Sequence, residues 1–416
     1  MNKDQERRYL DIKGRIGFHV GRSVSRPMVP PEHVYFSLTN RCNLRCQMCS
    51  VHKHPSTVEG ELSGDKVKAV VLEIRQMGIR HVIFSGGDPF MRKDLFDIIE
   101  FSIKCGIEMV DIITNGVLLS DDQVRKLVEM GLNHITFSLD GIGTTNDDIR
   151  GQGVFAKVQT NIDRIDHYKR QLNCSTPSVG INFTVMEKNV QDMLPMIEFA
   201  GAKKCNIVLF QPIMFNNTKM SEKKTNDLWL KEESIKRLET VINKVIELKR
   251  TIDQPYICTD NEVLKIMPAY FRGKKAPGRF KCYEGFKRIV ITCNGQLWSC
   301  SGVYGDLQKH SLREIWFSNA AIRMRHRVKR CTEHCLQDCV YYPSDIAGEL
   351  QNLLSMFKQE EAVMAEIKDK LLDHLDLLGK DIEALQKRRP WDLASYINYK
   401  RSLGELFGLR QILMKY

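Results

Sequence analysis

Cys42, Cys46 and Cys49 lie in the stretch TNRCNLRCQMCS (residues 39–50), spaced C-x3-C-x2-C directly after a short apolar run. Three thiols on one loop are a metal-binding arrangement, but a closed structural zinc site takes four ligands. His52 and His54 could supply a fourth, which keeps zinc open as a reading. A [4Fe-4S] cluster suits the short spacings better, since cubanes are wrapped by cysteines close together in the chain. With three cysteines, one iron is left without a protein ligand, and an open metal position is where a metal binds and activates something else. A second group follows much later: Cys282-x12-Gly295-x4-Cys300, with Cys293 in between, then Cys331-x3-Cys335-x3-Cys339. Of the thirteen cysteines, Cys105, Cys174, Cys205 and Cys258 stand alone and read as small buried hydrophobes.

The elements that must position the first loop are legible from residue 33 onward. VYFSLT (34–39), HVIFSG (81–86), MVDIIT (109–114), HITFSLD (134–140), VGINFTV (179–185) and NIVLFQPI (206–213) are strand-like in length and in β-branched and aromatic content. Helix-period segments lie between them, several closing on Gly or Lys as helix C-termini do. Six strand-helix alternations imply an α/β fold with a parallel sheet, either an open doubly wound sheet or a complete or partial barrel. Ligand sites in both sit at the carboxyl ends of the strands. There the sequence carries TNRC, SGGDP, TNG, SLDG, MEKN and QP in turn. Each could be an ordinary turn; six on one rim point to a site.

The remainder divides into an N-terminal extension (1–32), the core just described (33–213), a polar linker and helical connection (214–276), a cysteine-rich module (277–343) and a helical extension (344–416). In the last, Leu353, Phe357, Met364, Ile367, Leu371, Leu375, Leu378, Ile382 and Leu385 recur at three- and four-residue spacing, the pattern of one long amphipathic helix, and Pro390 interrupts it. Its apolar face packs on the rest of the chain or serves an oligomer.

The chain of 416 residues is 43% hydrophobic and 27% charged, a globular composition. No apolar stretch approaches the roughly 20 residues of a membrane span, and the opening lacks the apolar run of a signal peptide, so a cytoplasmic location is expected. The net charge of +11 favours anionic partners, but the charges are scattered and few aromatics interleave them, which argues against nucleic acid.

The C-x3-C-x2-C motif after the first strand and the Gly-Gly-acid-Pro turn after the second resemble the radical S-adenosylmethionine (SAM) enzymes. That resemblance implies a partial (β/α)6 barrel in which the open iron chelates SAM. Its one-electron cleavage yields methionine and a 5′-deoxyadenosyl radical that takes a substrate hydrogen. It places Gly86, Gly87 and Asp88 at the methionine amino group, with Asp88 one methylene shorter than the usual Glu. Ser138 and Asp140 would meet the ribose hydroxyls, Thr114 and Asn115 the same pocket, Arg150 the SAM carboxylate, and Asn182, Val185 and Gln211 the adenine side. Met48 departs from the aromatic residue more common at its position. An external low-potential donor of flavodoxin or ferredoxin type is implied as well.

The second cysteine group, with GDL, SLREIW and an Asn294-Gly295 hairpin turn, resembles the SPASM or twitch extension of the same enzymes. Seven cysteines and two auxiliary clusters are usual there. Here Cys282, Cys300, Cys331, Cys335 and Cys339 suffice for one auxiliary [4Fe-4S] cluster, held by Cys282, Cys300 and two of the last three, with zinc as the alternative. The expected function is dehydrogenation, epimerisation or bond formation on a small polar or anionic metabolite, such as a sugar, nucleotide or cofactor precursor. A maturase of ribosomally made peptides is the alternative; it is disfavoured by the short segment before the first strand. A non-enzymatic iron-sulfur sensor or nucleic-acid binder is the reading from a different class.

Overall fold

Alternation along the strands decides the architecture. In the computed structural model, residues 2–215, 219–277, 280–337, 341–343, 345–356, 361–387 and 393–415 are described. Chain order runs α1 (Lys3–Val24), β1 (His33–Thr39), α2 (Gly64–Gln76), β2 (His81–Gly86), α3 (Leu95–Lys104), β3 (Met109–Thr114), α4 (Asp121–Glu129) and β4 (His134–Ser138). It continues through α5 (Thr144–Arg150), α6 (Val154–Gln171), β5 (Ser178–Val185), α7 (Met193–Ala202) and β6 (Ile207–Pro212). Val34, Phe36, Val82, Phe84, Val110, Ile112, Ile135, Phe137, Ile181, Phe183, Val208 and Phe210 are fully buried and share one core with the helices. The intervening positions are polar, or partly open to solvent, and form the other face of the sheet. A parallel sheet curved around such a face is a partial barrel, as the sequence led us to expect.

Beyond β6 come α8 (Met220–Thr225), α9 (Glu232–Thr251), β7 (Tyr256–Ile257) and α10 (Asn261–Phe271). They are followed by β8 (Phe280–Cys282), β9 (Arg288–Ile291), β10 (Gln296–Ser299), β11 (Gly302–Asp306), α11 (Leu312–Phe317), α12 (Asn319–Lys329) and β12 (Tyr341–Pro343). The sheet order is β11-β10-β9-β1-β2-β3-β4-β5-β6-β7, and the sheet stays open. β7 extends β6 in parallel, and β9 lies parallel to β1 with His33 opposite Arg288 and Phe36 opposite Ile291. The cysteine-rich module is therefore continuous with the barrel sheet, although the sequence suggested a separate attachment. The stretch read as a polar linker is also partly core: Trp229 is 1% exposed, with its indole N–H donating to the Phe271 carbonyl at 2.9 Å.

The C-terminal region holds α13 (Ile346–Met356), α14 (Glu361–Lys387) and α15 (Leu393–Lys415). Of the single long helix expected over 353–385, α13 and α14 carry all but residues 357–360, which include Phe357 and lie outside the described residues. Tyr9, Ile12, Ile16 and Val20 of α1 pack against Leu350, Leu354, Ile367, Leu371, Leu378 and Leu413, so the two ends of the chain build a second core together. Among the described residues, no helix is long and apolar enough to cross a membrane. Leu371 is fully buried in this second core, and Leu371→Ala is expected to cost about 2–5 kcal/mol. Hydrogen exchange should then rise in α1 while the amides of β1–β6 stay protected.

Candidate iron-sulfur and cofactor site

The first cysteine loop leaves the carboxyl end of β1 and is held there by the turn that leaves β2. Gly87 N–H donates to the Thr39 carbonyl at 2.6 Å, and Asp88 N–H to the Arg41 carbonyl at 2.9 Å. Neither contact tolerates a side chain. A Cβ on Gly86, whose φ is +137°, would lie 2.1 Å from the Thr39 oxygen, and one on Gly87 would lie 2.1 Å from the Arg41 oxygen. The two glycines let one backbone seat the other.

Asp88 is fully buried, and its carboxylate accepts from Thr114 Oγ1 and Asn115 N–H at 2.8 Å each and from Phe90 N–H at 3.0 Å. Burial raises its pKa, against those three hydrogen bonds. The carboxylate thus ties the β3 rim to the β2 rim, where the family resemblance had given it to SAM. Asn115 continues the chain of contacts, its side-chain N–H2 donating to Asn43 at 2.8 Å and lying 3.7 Å from the Cys42 sulfur.

Cys46 is anchored from the other side. Gln47 N–H donates to the Ile149 carbonyl at 3.0 Å, at the end of α5, and Arg150 Nη1 lies 3.9 Å from the Cys46 sulfur. The same guanidinium pairs with the fully buried Asp140 at 2.6 Å, and Asp140 also accepts from Thr184 N–H at 2.7 Å. Arg150 and Asp140, assigned from sequence to opposite ends of SAM, are therefore partners. Arg150 Nε is buried without a hydrogen-bond partner, a donor that an anionic ligand would satisfy.

Cys42, Cys46 and Cys49 are free thiols near enough to influence one another, and burial pushes the first two up. Among the described residues, no three His, Cys, Asp or Glu side chains close on a single ion. A cubane takes its thiolates on separate irons and needs no such convergence, so the donor set fits a cluster better than a zinc ion. When bound, that cluster would be held by Cys42, Cys46 and Cys49 under Asn115 and Arg150.

Ser138 and Asn182 stand in register on β4 and β5, and Gln211 stands opposite Thr184 on β6, all half-buried on the inner face. Val185 leaves this group: its side chain is fully buried in the core on the helix-facing side of β5. Deeper in the same face sit residues the sequence reading passed over. His33, His81, Asp111 and His134 line its floor, with His81 Nε2 4.0 Å from Asp111 Oδ2. His81 Nε2 and Asp111 Oδ1 are both buried without a hydrogen-bond partner. Burial pushes Asp111 up to about 7 and His81 and His134 down to about 4. Their signal was polar residues at alternate positions of strands otherwise apolar, visible only once the parity of all strands is known.

In the auxiliary module, Cys282, Cys300, Cys331 and Cys335 influence one another's ionisation. The sequence left open which of the last three cysteines join Cys282 and Cys300; Cys331 and Cys335 lie near enough to these two to influence their ionisation, and Cys339 lies outside the described residues. Burial, then Glu284, pushes Cys282 well up, and Cys300 rises to about 12. Glu284 is buried against Arg288 at 2.7 Å. Cys293 lies apart from these four, near Ser56 and Glu61. Of the isolated cysteines, Cys205 is fully buried and Cys105 and Cys174 are half-buried.

Substituting Gly87 tests the seating of the first loop. Gly87→Ala forces a Cβ onto a carbonyl oxygen and is expected to cost about 1–3 kcal/mol locally. Iron in the first site should fall, read by iron content in a protein whose auxiliary cysteines are intact.

The sequence matches the radical SAM superfamily over residues 36–200 and the SPASM iron-sulfur cluster-binding domain over residues 282–340. Among characterised relatives, it is 31% identical over 218 residues to an Fe-coproporphyrin III synthase of Methanosarcina barkeri, covering 52% of each chain. It is 28% identical to a probable GTP 3′,8-cyclase of Saccharolobus solfataricus, covering 65% of this chain and 83% of that one. The match to the first of these thus spans about half of that relative. Among solved structures, Streptococcus suis SuiB bound to S-adenosylmethionine shares the fold with a TM-score of 0.56 at 12% identity, covering 71% of this chain and 68% of SuiB. Native anSMEcpe with bound AdoMet does so with a TM-score of 0.56 at 15% identity, covering 82% of this chain and all of that one. With both matches falling on the two cysteine groups built above, the chain belongs to the radical SAM superfamily and carries a SPASM iron-sulfur domain.

Proposed function

We propose that the protein cleaves SAM reductively and uses the resulting radical on a small polar or anionic metabolite, with one auxiliary [4Fe-4S] cluster at Cys282, Cys300, Cys331 and Cys335. The observation that carries this reading is the three-cysteine loop at the carboxyl end of β1, seated by Gly86 and Gly87 and flanked by Arg150, whose Nε is a buried donor without a partner. When bound, the first cluster and SAM supply a one-electron cleavage that generates a 5′-deoxyadenosyl radical. The chain's own residues hold the reactants: Gly86 and Gly87 seat the cluster loop, while Arg150 and Asp140 brace it at Cys46. Ser138, Asn182 and Gln211, half-buried on the inner face, offer hydrogen bonds to the nucleoside.

An anionic substrate is supported by a cavity of about 480 Å³ beside the auxiliary thiols. Arg22, Lys265, Lys274, Lys281 and Lys329 are among its lining residues, with Glu333 as the one acidic group among the described residues. That volume lies within the usual range for small-molecule sites. The named relatives, a porphyrin synthase and GTP cyclases, point the same way. The net charge of +11 suits an acidic flavodoxin or ferredoxin as external donor.

Incubating the reduced holoprotein with fractions of a perdeuterated metabolite extract should place deuterium in 5′-deoxyadenosine for a low-mass anionic fraction. Deuterium arriving only from peptide fractions would overturn the metabolite reading.

Asp111→Asn gives a second test. A carboxyl raised in the folded state to about 7 contributes stability that is complete below its unfolded value, about 4, and is lost as the pH rises through 7. The variant should therefore gain in thermal midpoint over the parent as the pH goes from 4 to 8. An equal difference at both ends would show that Asp111 is not held protonated.

A further inference from the structure

The hairpin formed by β9 and β10 has the auxiliary thiols at one end and the first cysteine loop at the other. Cys300 follows β10 directly at the hairpin base, and Cys282, at the end of β8, lies near enough to Cys300 to influence its ionisation. The tip, Thr292–Gly295, reaches the chain segment that closes the first cysteine loop. Leu62 N–H donates to the Cys293 carbonyl at 2.7 Å. Gly295, at φ +85°, lies so close that a Cβ there would be 2.9 Å from the Leu62 side chain.

Immediately before Leu62, Glu61 gathers both ends of the cluster loop. Its carboxylate, only 3% exposed, accepts from Arg41 Nε and Nη2 at 3.0 Å each, from Ser56 Oγ and from Thr39 Oγ1. Asn40 N–H donates to Ser56 Oγ at 2.9 Å. Arg92 closes the arrangement, donating from Nη1 to the Leu38 carbonyl at 3.1 Å and to the Leu62 carbonyl at 3.0 Å. Residues 38–41 and 56–62, which bracket Cys42–Cys49, are thus joined through one carboxylate and one guanidinium. The attraction within such a pair weakens as water reaches it, and the tip at buried Cys293 lies against it.

We propose that Glu61 is a positioning residue for the first cluster, and that the hairpin tip holds it in place, so that integrity of the auxiliary thiol site at the hairpin base controls the order of the SAM-binding loop. This rests on reading Cys42–Cys49 as that loop. The linkage runs through the sheet: β9 pairs with β1 and with β10, and β10 pairs with β11, so the strands that carry the base also carry the tip.

The test uses anaerobically reconstituted full-length protein and the variants Glu61→Gln, Gly295→Ala and Cys282→Ala, followed by hydrogen exchange and by the paramagnetic spectrum of the reduced first cluster with and without SAM. In all three, exchange over residues 40–62 should rise by roughly tenfold, the factor that the loss of one ordinary hydrogen bond produces, while β2–β5 remain unchanged. The SAM-induced change in the spectrum should need a higher SAM concentration. Glu61→Asp should recover part of the effect. Unchanged exchange over 40–62 in Glu61→Gln overturns the clamp. Loosening in Glu61→Gln alone, with Gly295→Ala and Cys282→Ala folded and unchanged, overturns the link to the auxiliary site. Loosening in all three variants of a protein that never cleaves SAM supports the linkage while sinking the functional reading on its own.

Discussion

The site depends on one backbone-to-backbone contact. The Gly86–Gly87 turn leaving β2 presses against Thr39 and Arg41 as the chain leaves β1, at distances that no Cβ could share. This contact fixes where the first cysteine loop begins and thus where three thiols stand at the carboxyl end of the sheet. Asp88 carries the constraint to β3 through Thr114 and Asn115, and Asn115 carries it back to Asn43 beside Cys42. The Gly-Gly-acid motif thereby acts first as masonry: its glycines permit close approach, and its carboxylate is occupied by protein donors.

A second constraint separates the two faces of the sheet. Side chains facing the helices are fully buried and supply the hydrophobic stabilisation, which frees the opposite face to carry polar groups. Burial then acts differently on each ionisable group. His81 and His134 are driven towards their neutral forms, and Asp111 towards its protonated form, so the floor is a set of neutral donors and acceptors. At the rim, burial raises Asp140 as well, against the Arg150 guanidinium 2.6 Å away, and Arg150 Nε is left unpaired.

The six strands of the barrel and the residues on its rim were legible in the sequence because they lie in short apolar runs and in turn motifs close along the chain. The same holds for Cys42, Cys46, Cys49, Cys282 and Cys300. What escaped were relations between distant segments. The pairing of β9 with β1 shows no local mark, nor does the meeting of α1 with the C-terminal helices. Asp140 and Arg150 were each picked out but not as partners, because an ion pair is invisible in one sequence. Val185 was misassigned in its direction: the motif gave its position, and only the parity of β5 shows that its side chain points to the core. Glu61 and Arg92 stand in unremarkable surroundings and gain their role from what folds onto them.

An iron left open by a three-cysteine loop is measured most directly by the paramagnetic spectrum of the reduced, cluster-loaded protein. Two cluster signals are predicted, of which one changes when SAM is added and is lost in Cys42→Ala while the other persists. A loaded protein whose spectrum ignores SAM, or whose SAM-dependent signal survives Cys42→Ala, would contradict it.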